Sequence, residues 1–283
     1  MKIKSLLVIP CVFFVAIIAC CTNVLHDDDA AVNSYKVDGD GSLHVYFINL
    51  DKSIDRLKHV VPQLDNLGYE FTRISAVYGK KMPFIQKEKF VDRAKYRFLM
   101  RSEIGDGTIG CYLSHIKTWQ TFLKSTHSYA LVFEDDVVFN PVKLKLLIEN
   151  LKACNTDWDL VNIDVNRPGN PRIDKKLGSS EFLLVKFRTR VGNTSCYLIS
   201  RETAIKLLKK ALPIVMPIDH YLARFWETGI KLRGVIPKPV RQGFGDSEID
   251  MQGRRADVGF LYCLSSFFFQ LSTHIITFIQ AYL

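Results

Sequence analysis

The sequence predicts an α/β protein with a mixed, mostly parallel central sheet flanked by helices, and three observations carry that expectation. Residues 43–76 show a strand-helix-strand pattern. Short apolar runs alternate with helical patterns as far as residue 236. The run Ala130-Leu131-Val132-Phe133 ends abruptly in Glu134-Asp135-Asp136. Strands that alternate with helices build a partly parallel sheet with helices on its faces. An apolar strand that ends in three carboxylates must open there to solvent or to a cation, because an unpaired buried carboxylate is costly.

Leu43 to Leu50 is an apolar run and predicts a buried strand. Ser53 is a good N-cap and Asp55 suits a first helical turn. Leu57, Val60, Val61 and Leu64 follow at helical spacing. Gly68 closes that helix, and residues 69–76 form a second strand. Residues 79–106 are charged and weakly periodic, and read as a long excursion over a site. Ile109, Tyr112, Leu113, Ile116, Trp119 and Leu123 share one face of a helix. After the strand at 130–133 come a helix over 144–151 and a strand over 158–163. Residues 164–180 read as a Pro/Gly-rich loop, and the strand-like runs 182–187 and 195–199 are candidates to pair with each other. Ser200 caps a helix carrying Ala204, Leu207, Leu208 and Ala211. Pro217 precedes Ile218-Asp219-His220-Tyr221 and a short helical stretch, and residues 232–236 are the last strand.

The expected organisation is an N-terminal segment at 1–26, a linker at 27–42, a catalytic domain at 43–250 and a tail at 251–283. Lys2 and Lys4 precede an apolar run from Leu6 to Cys21, the pattern of a signal peptide or short membrane anchor. Ile17-Ile18-Ala19-Cys20 also resembles a lipobox. The positive-inside rule would keep Lys2 and Lys4 cytoplasmic and send Asp27-Asp28-Asp29 across. A membrane-associated chain follows, with the side of the membrane open. Residues 260–283 hold no Asp, Glu, Lys or Arg. Leu261, Leu264, Phe268, Leu271, Ile275, Phe278 and Tyr282 recur at helical spacing there. That stripe suits a membrane interface or self-association better than packing on the domain.

The chain has 283 residues, 48% of them hydrophobic and 24% charged, which describes an ordered globular protein. Its net charge of +9 comes without a long Lys/Arg block, so anionic small molecules or an anionic membrane surface fit as partners and nucleic acid does not. Seven cysteines form no CxxC pair, so neither a zinc site nor a disulfide framework is read from them.

Hard divalent ions such as Mg²⁺ or Mn²⁺ take carboxylate oxygens and share them with phosphates, so Glu134-Asp135-Asp136 can clamp a metal–diphosphate. A solvated acidic turn would show the same residues. Arg56, early in the first helix, can meet phosphate through its charge and the helix N-terminus. Its alternative is a solvated helix charge.

Four blocks in order resemble one family. Val45 to Arg56, with Ile48-Asn49-Leu50-Asp51, resembles its INLDRS-x-DR opening. Gly107 to Trp119 resembles its GEIGC-x-LSH-xxx-W block, with Thr108 where that family usually has Glu. Phe133 to Val137 resembles its LEDDV, and Val191 to Ser200 with Pro217-Ile218-Asp219-His220 resembles its late GT-x-GYLIS and PVD region. The family is glycosyltransferase family 25, which includes bacterial lipooligosaccharide galactosyltransferases and animal procollagen galactosyltransferases.

The resemblance implies a GT-A-like fold and inverting transfer of a hexose from a nucleotide-sugar donor, a UDP-hexose such as UDP-galactose. It also implies a glycan or glycolipid acceptor of the lipopolysaccharide-core type and a divalent metal, Mn²⁺ or Mg²⁺. Carried onto this sequence, Asp136 and Glu134 would hold the metal. Asn49, Asp51, Arg56, Glu134 and Asp135 would bind the donor. His115, Trp119 and His220 would contact donor or acceptor, with a core position as the alternative for Trp119 and a structural hydrogen bond as that for the two histidines. Asp219 would be the base that takes the acceptor proton, with a helix N-cap as its alternative role. A non-catalytic, carbohydrate-binding relative of the same fold is the second reading.

Overall fold

A computed structural model describes residues 39–154, 158–165, 169–243 and 260–283. The expected N-terminal anchor and most of the linker lie outside them. The chain starts with β1 (Leu43–Asn49), α1 (Ile54–Leu67) and β2 (Phe71–Ser75). Then come the short helices α2 (Phe84–Glu88) and α3 (Arg93–Met100), and α4 (Asp106–Leu123). β3 (Tyr129–Glu134), β4 (Val137–Phe139), α5 (Pro141–Ala153) and β5 (Leu160–Asn162) follow. The second half carries β6 (Pro171–Lys176), β7 (Leu183–Phe187), β8 (Cys196–Ser200), α6 (Arg201–Leu208), α7 (Ile218–Ala223) and α8 (Phe225–Thr228). It ends with β9 (Leu232–Ile236), β10 (Val240–Gln242) and α9 (Phe260–Gln280).

Eight strands form one sheet in the order β2-β1-β3-β8-β5-β9-β7-β6. β1 pairs in parallel with β2 and β3, and β5 with β9. β8 runs antiparallel to β3 and β5, and β7 antiparallel to β9 and β6. All but β7 and β8 therefore point one way, giving the expected mixed, mostly parallel sheet flanked by helices. β4 and β10 form a separate two-stranded ladder.

The pleat sorts the core. Val45 and Phe47, Leu131 and Phe133, and Cys196 and Leu198 are all buried in one cluster with Leu64 and Leu67 of α1 and Leu144, Leu147, Ile148 and Leu151 of α5. The alternate residues turn to the other face, where Tyr46 meets Phe122 of α4. Ser53 takes the N-cap of α1 without a side-chain cap bond, and Gly68 ends α1 at φ 75°, a left-handed conformation that suits glycine. Ser200 caps α6 by accepting from Thr203 N–H.

Three expectations need correction. Residues 79–106 are not a bare excursion: their buried Tyr96 and Leu99 fold α3 onto the body. Residues 171–176, expected in a loop, form β6. It is an edge strand, and its alternation is hidden because the exposed Asp174 and Lys176 give it no apolar run. The runs at 182–187 and 195–199 do not pair with each other, since β8 lies between β3 and β5.

The sequence pattern sends the tail away from the domain, but α9 packs on it. Ser265 Oγ donates to Phe98 O of α3 at 3.0 Å, and Arg224 at the end of α7 donates to Thr273 Oγ1 at 2.5 Å. The described residues, α9 included, belong to one compact unit.

Candidate functional site

The chain runs from β1 out to β2 on one side and returns through α4 to β3 on the other. This leaves a crevice beyond the C-terminal ends of β1 and β3, the place where open α/β sheets bind ligands. A cleft opens there. Its walls include Ile48 near the end of β1 and Leu50 just after it, residues 76–80 after β2, Arg56 of α1, Gly107, Cys111 and His115 of α4, and Glu134 and Asp135.

One wall is a direct backbone contact between α4 and the segment after β2. A Cβ on Gly110 would lie 2.4 Å from Val77 O and 2.9 Å from Gly79 N, and one on Gly79 would lie 1.9 Å from Asp106 O. Neither neighbour is a side chain that can swing away. Gly110→Ala should therefore lose about 1–3 kcal/mol of stability, the usual cost of overpacking. Urea unfolding checks this, and an unchanged midpoint would show that the wall yields freely.

Alternation at the end of β3 sends successive carboxylates in different directions. Glu134 faces α4. It accepts from Thr194 Oγ1 at 2.8 Å, and His115 Nε2 lies 3.5 Å away. Burial pushes its pKa up, but the His115 and Thr194 contacts outweigh this and hold the carboxyl below its usual range. Asp135 faces the start of α1. Asn49 Nδ2 donates to it at 2.7 Å and Arg56 Nη1 at 3.0 Å. Burial still wins there and raises its pKa.

Asp136 accepts from Gln242 Nε2 at 2.7 Å through Oδ2, and Arg56 is 3.9 Å from that oxygen. Among the described residues its buried Oδ1 has no hydrogen-bond partner. Burial, and secondly the Glu134 charge, push its pKa up to about 6.

The orphaned oxygen is what a cation site requires, and the oxygen donors suit a hard divalent ion. Asp136 with Glu134 could hold one. Cys111, His115 and Glu134 are a second possible trio, with ligand atoms all within 4.8 Å of one another. Burial first, then the nearby Glu134, Asp219 and Asp136, raises the Cys111 thiol well above its usual pKa. A protonated thiol is a poor ligand, and sulfur suits softer ions than Mg²⁺ or Mn²⁺.

The remaining expected residues divide. Asn49 is buried and positions Asp135. Its Oδ1 accepts from Arg73 Nε at 2.9 Å. Asp51 is held by Arg73 Nη2 at 2.6 Å and Ser75 Oγ at 2.9 Å and is not among the residues lining the cleft. Arg56 is only 13% exposed in its side chain, so it is not a solvated helix charge.

Trp119 is fully buried and takes the core position that is its alternative to a sugar contact. Its Nε1 donates to Tyr197 Oη at 2.9 Å, and that oxygen lies 3.0 Å from His115 Nδ1. With Trp119 donating, the Tyr197 hydroxyl gives its proton to Nδ1 of His115. Nε2–H of His115 then faces Glu134, a tautomer assigned by the network. Asp219 is half-buried in the first turn of α7 and accepts from His220 N at 2.9 Å. Pro217 occupies the N-cap, so Asp219 does not cap the helix. The His220 ring pairs with Arg190 through Nε2.

Sequence reasoning missed Asp164, just past the C-terminal end of β5 and 2% exposed. It accepts from Ser195 Oγ at 2.8 Å, Asn193 Nδ2 at 3.0 Å and Gln242 N–H at 2.8 Å. Gln242 thus ties Asp164 to Asp136. The signal lies in Leu160-Val161-Asn162-Ile163-Asp164, an apolar run that ends in a carboxylate as β3 does. Nothing in the sequence marks Gln242.

Residues 42–222 match the family described as Glycosyltransferase family 25 (LPS biosynthesis protein). The chain belongs to glycosyltransferase family 25. Among curated relatives, this family 25 chain is 29% identical over 192 residues to a glycosyltransferase 25 family member of Anopheles gambiae, covering 63% of this chain and 31% of that protein. It is 29% identical over 191 residues to procollagen galactosyltransferase 1-A of Xenopus laevis, covering 63% and 30%. The chain thus spans about a third of the length of the curated relatives it matches. A solved glycosyltransferase involved in the glycosylation of the major capsid of PBCV-1 aligns at 11% identity with a TM-score of 0.29, over 60% of this chain and 62% of that one. That overlap is too slight to carry any argument.

Proposed function

We propose that this chain transfers a hexose, galactose by resemblance to its relatives, from a UDP-sugar to a hydroxyl of a glycan or glycolipid acceptor of the lipopolysaccharide-core type, with inversion. The reading rests above all on Asp136, whose buried Oδ1 has no partner among the described residues and which directly follows Glu134 and Asp135 of the cleft wall. Asp136 and Glu134 are the metal ligands, with Asp164 tied to Asp136 through Gln242. A bound Mn²⁺ or Mg²⁺ would neutralise the charge that develops on the departing diphosphate. Arg56 lies between Asp135 and Asp136 and can swing its guanidinium to a phosphate oxygen. Tyr78 offers a ring at the cleft wall, with the Lys52 ammonium 5.1 Å from its centroid.

Asp219 acts as the base. The acceptor oxygen attacks the anomeric carbon, and the bond from that carbon to the diphosphate oxygen breaks with its electron pair leaving on the diphosphate. The hydroxyl proton passes to the Asp219 carboxylate. The reading is supported by the position of Asp219 in the first turn of α7, where it is half-buried and does not cap the helix. The domain is proposed to span 43–250, with residues 1–26 holding it at a membrane.

A donor screen tests the reading. Purified chain with Mn²⁺ should turn over a UDP-hexose, and chelation should stop it. A chain that binds glycans yet never consumes any donor would be the non-catalytic relative, and the intact carboxylate cluster argues against that.

A further inference from the structure

Helix α9 is amphipathic in the wrong sense for a helix packed on a protein. Its inward positions are small or hydroxylic: Ser265, Ser266, Thr273, Thr277 and Ala281 are buried, with Phe269 the one large apolar residue among them. The Ser265, Thr273 and Thr277 hydroxyls are satisfied within the helix or by the domain. Thr273 Oγ1 donates to Phe269 O at 2.9 Å, Thr277 Oγ1 to Thr273 O at 2.7 Å, and Ser265 Oγ to Phe98 O. The outward face carries Leu261, Phe267, Leu271, Ile275, Phe278 and Ile279, all between 38% and 68% exposed. An ordinary surface helix buries the apolar set and exposes the hydroxyls. Among the described residues, Leu261–Gln280 is also the one helix long and apolar enough to cross a membrane by length and composition.

The surroundings of that face are basic. α9 packs against α3, where Phe98 meets Tyr262 ring to ring at 6.0 Å. The stretch 79–106 that contains α3 holds eight Lys and Arg side chains against four carboxylates, and although Lys87, Arg93 and Arg97 pair with Asp106, Glu88 and Glu103, it keeps a net positive charge. Phe84 and Ile85 of the adjoining α2 are also largely exposed. At the far end of α9, Arg172 donates to Ala281 O. The Arg172 and Arg188 guanidinium groups lie 4.7 Å and 5.6 Å from the Tyr282 ring centroid. An uncharged apolar strip is therefore bounded by cations at both ends.

We propose that the outward face of α9 docks this protein onto an anionic lipid bilayer. Apolar side chains would enter the headgroup–acyl boundary while the flanking Lys and Arg meet lipid phosphates. The charge decides between the possible occupants. A second copy seated face to face would bring two basic rims together, which costs free energy, whereas an anionic surface complements them. The helix is fixed to the body by Arg224, which caps α7, bonds Thr273 and lies 4.3 Å over the Phe269 ring. Docking through α9 would therefore hold α7, the helix of Asp219, close to the bilayer. That consequence, a membrane-borne acceptor, rests on the glycosyltransfer reading, while the docking itself does not.

The test uses the full chain carrying Phe278→Trp, mixed with vesicles of brominated phosphatidylcholine with or without phosphatidylglycerol. Tryptophan emission is read after subtracting the unsubstituted chain. Bromolipid should cut the added emission about twofold or more in anionic vesicles and much less in zwitterionic ones. Adding Leu271→Asn and Ile275→Asn, both at exposed positions, should abolish the quenching and leave the thermal midpoint unchanged. Equal quenching in both vesicles would overturn the anionic assignment. No quenching in either, or a lipid-free dimer whose added tryptophan is already shielded, would overturn the docking. None of these readings depends on turnover, so loss of the enzymatic reading would leave the result intact.

Discussion

Asp136→Asn should abolish metal-dependent transfer and at the same time make the metal-free protein more stable. The loss of activity follows from removing a charge that the diphosphate-bound cation needs. Several kcal/mol of transition-state stabilisation go with it, roughly a 10²–10³-fold fall in turnover. The gain in stability follows from burial. The Asp136 carboxyl titrates at about 6 when folded against a reference of 3.8. A raised carboxylate pKa means that the folded state holds its proton longer. Stability is therefore fully present below about pH 4 and declines as pH rises to about 6. Above that, the uncompensated charge costs about 3 kcal/mol, because a tenfold change in a protonation equilibrium is worth about 1.36 kcal/mol.

Asparagine carries no such cost, and it can still accept from Gln242. In a chelator-containing buffer at pH 7.5 the variant should melt higher than the parent, and the gap should close towards pH 4. Adding Mn²⁺ should raise the midpoint of the parent, by about 2.7 kcal/mol at a hundred times its dissociation constant, and leave the variant where it was. Near-parental turnover at saturating Mn²⁺ would remove Asp136 from the ligand set. A variant that melts lower at pH 7.5 would mean that its charge is compensated in the fold.

The elements legible in the sequence are those whose side chains alternate between two buried faces. β1, β3 and α1 carry Val45, Phe47, Leu131, Phe133, Leu64 and Leu67 at the expected spacings, and all are buried in one cluster. β6 is illegible because an edge strand has one solvent-facing side and no reason to be apolar. β4 and β10 are illegible because they are three residues long and, unlike β5, have no longer apolar run around them. The tail misleads in a different way. Its apolar stripe is real, but the face that packs is the hydroxylic one. Burial of Thr273 and Thr277 works only because each bonds a carbonyl of its own helix, which the pattern does not announce.

The site divides along the same line. Glu134, Asp135 and Asp136 stand out because three carboxylates after four apolar residues have few places to go. Their separate tasks do not stand out, since those depend on what faces each one across the sheet. Asp135 is spoken for by Asn49 and Arg56. Glu134 is held by Thr194 and faces His115. Of the three, only Asp136 keeps a buried oxygen without a partner among the described residues. Trp119 and Tyr197 are a supporting layer for His115, and an aromatic residue in a helix looks the same whether it stacks on a ligand or holds a histidine.

Asp219→Asn should lower turnover by about 10²–10⁴-fold, the usual contribution of a general base, while donor affinity and the thermal midpoint stay where they were. The separation follows from where Asp219 sits. It belongs to α7, whose Tyr221 hydroxyl donates to Leu207 O at 2.7 Å and anchors the helix to α6 without help from the carboxylate. The Asp219 carboxylate accepts from the N–H of its own neighbour His220, and an asparagine carbonyl can accept that bond equally well. The cleft formed by β1, β3 and α4 is built from other residues. A nucleotide-sugar should therefore bind the variant as it binds the parent, measured by calorimetry with the UDP-sugar and Mn²⁺. What the amide cannot do is take the proton from the acceptor hydroxyl as the bond to the anomeric carbon forms. Asp219→Glu supplies a carboxylate on a longer stem and should recover part of the rate. If transfer survives in the asparagine variant and only the thermal midpoint drops, Asp219 is a structural carboxylate and the base is another group on the cleft.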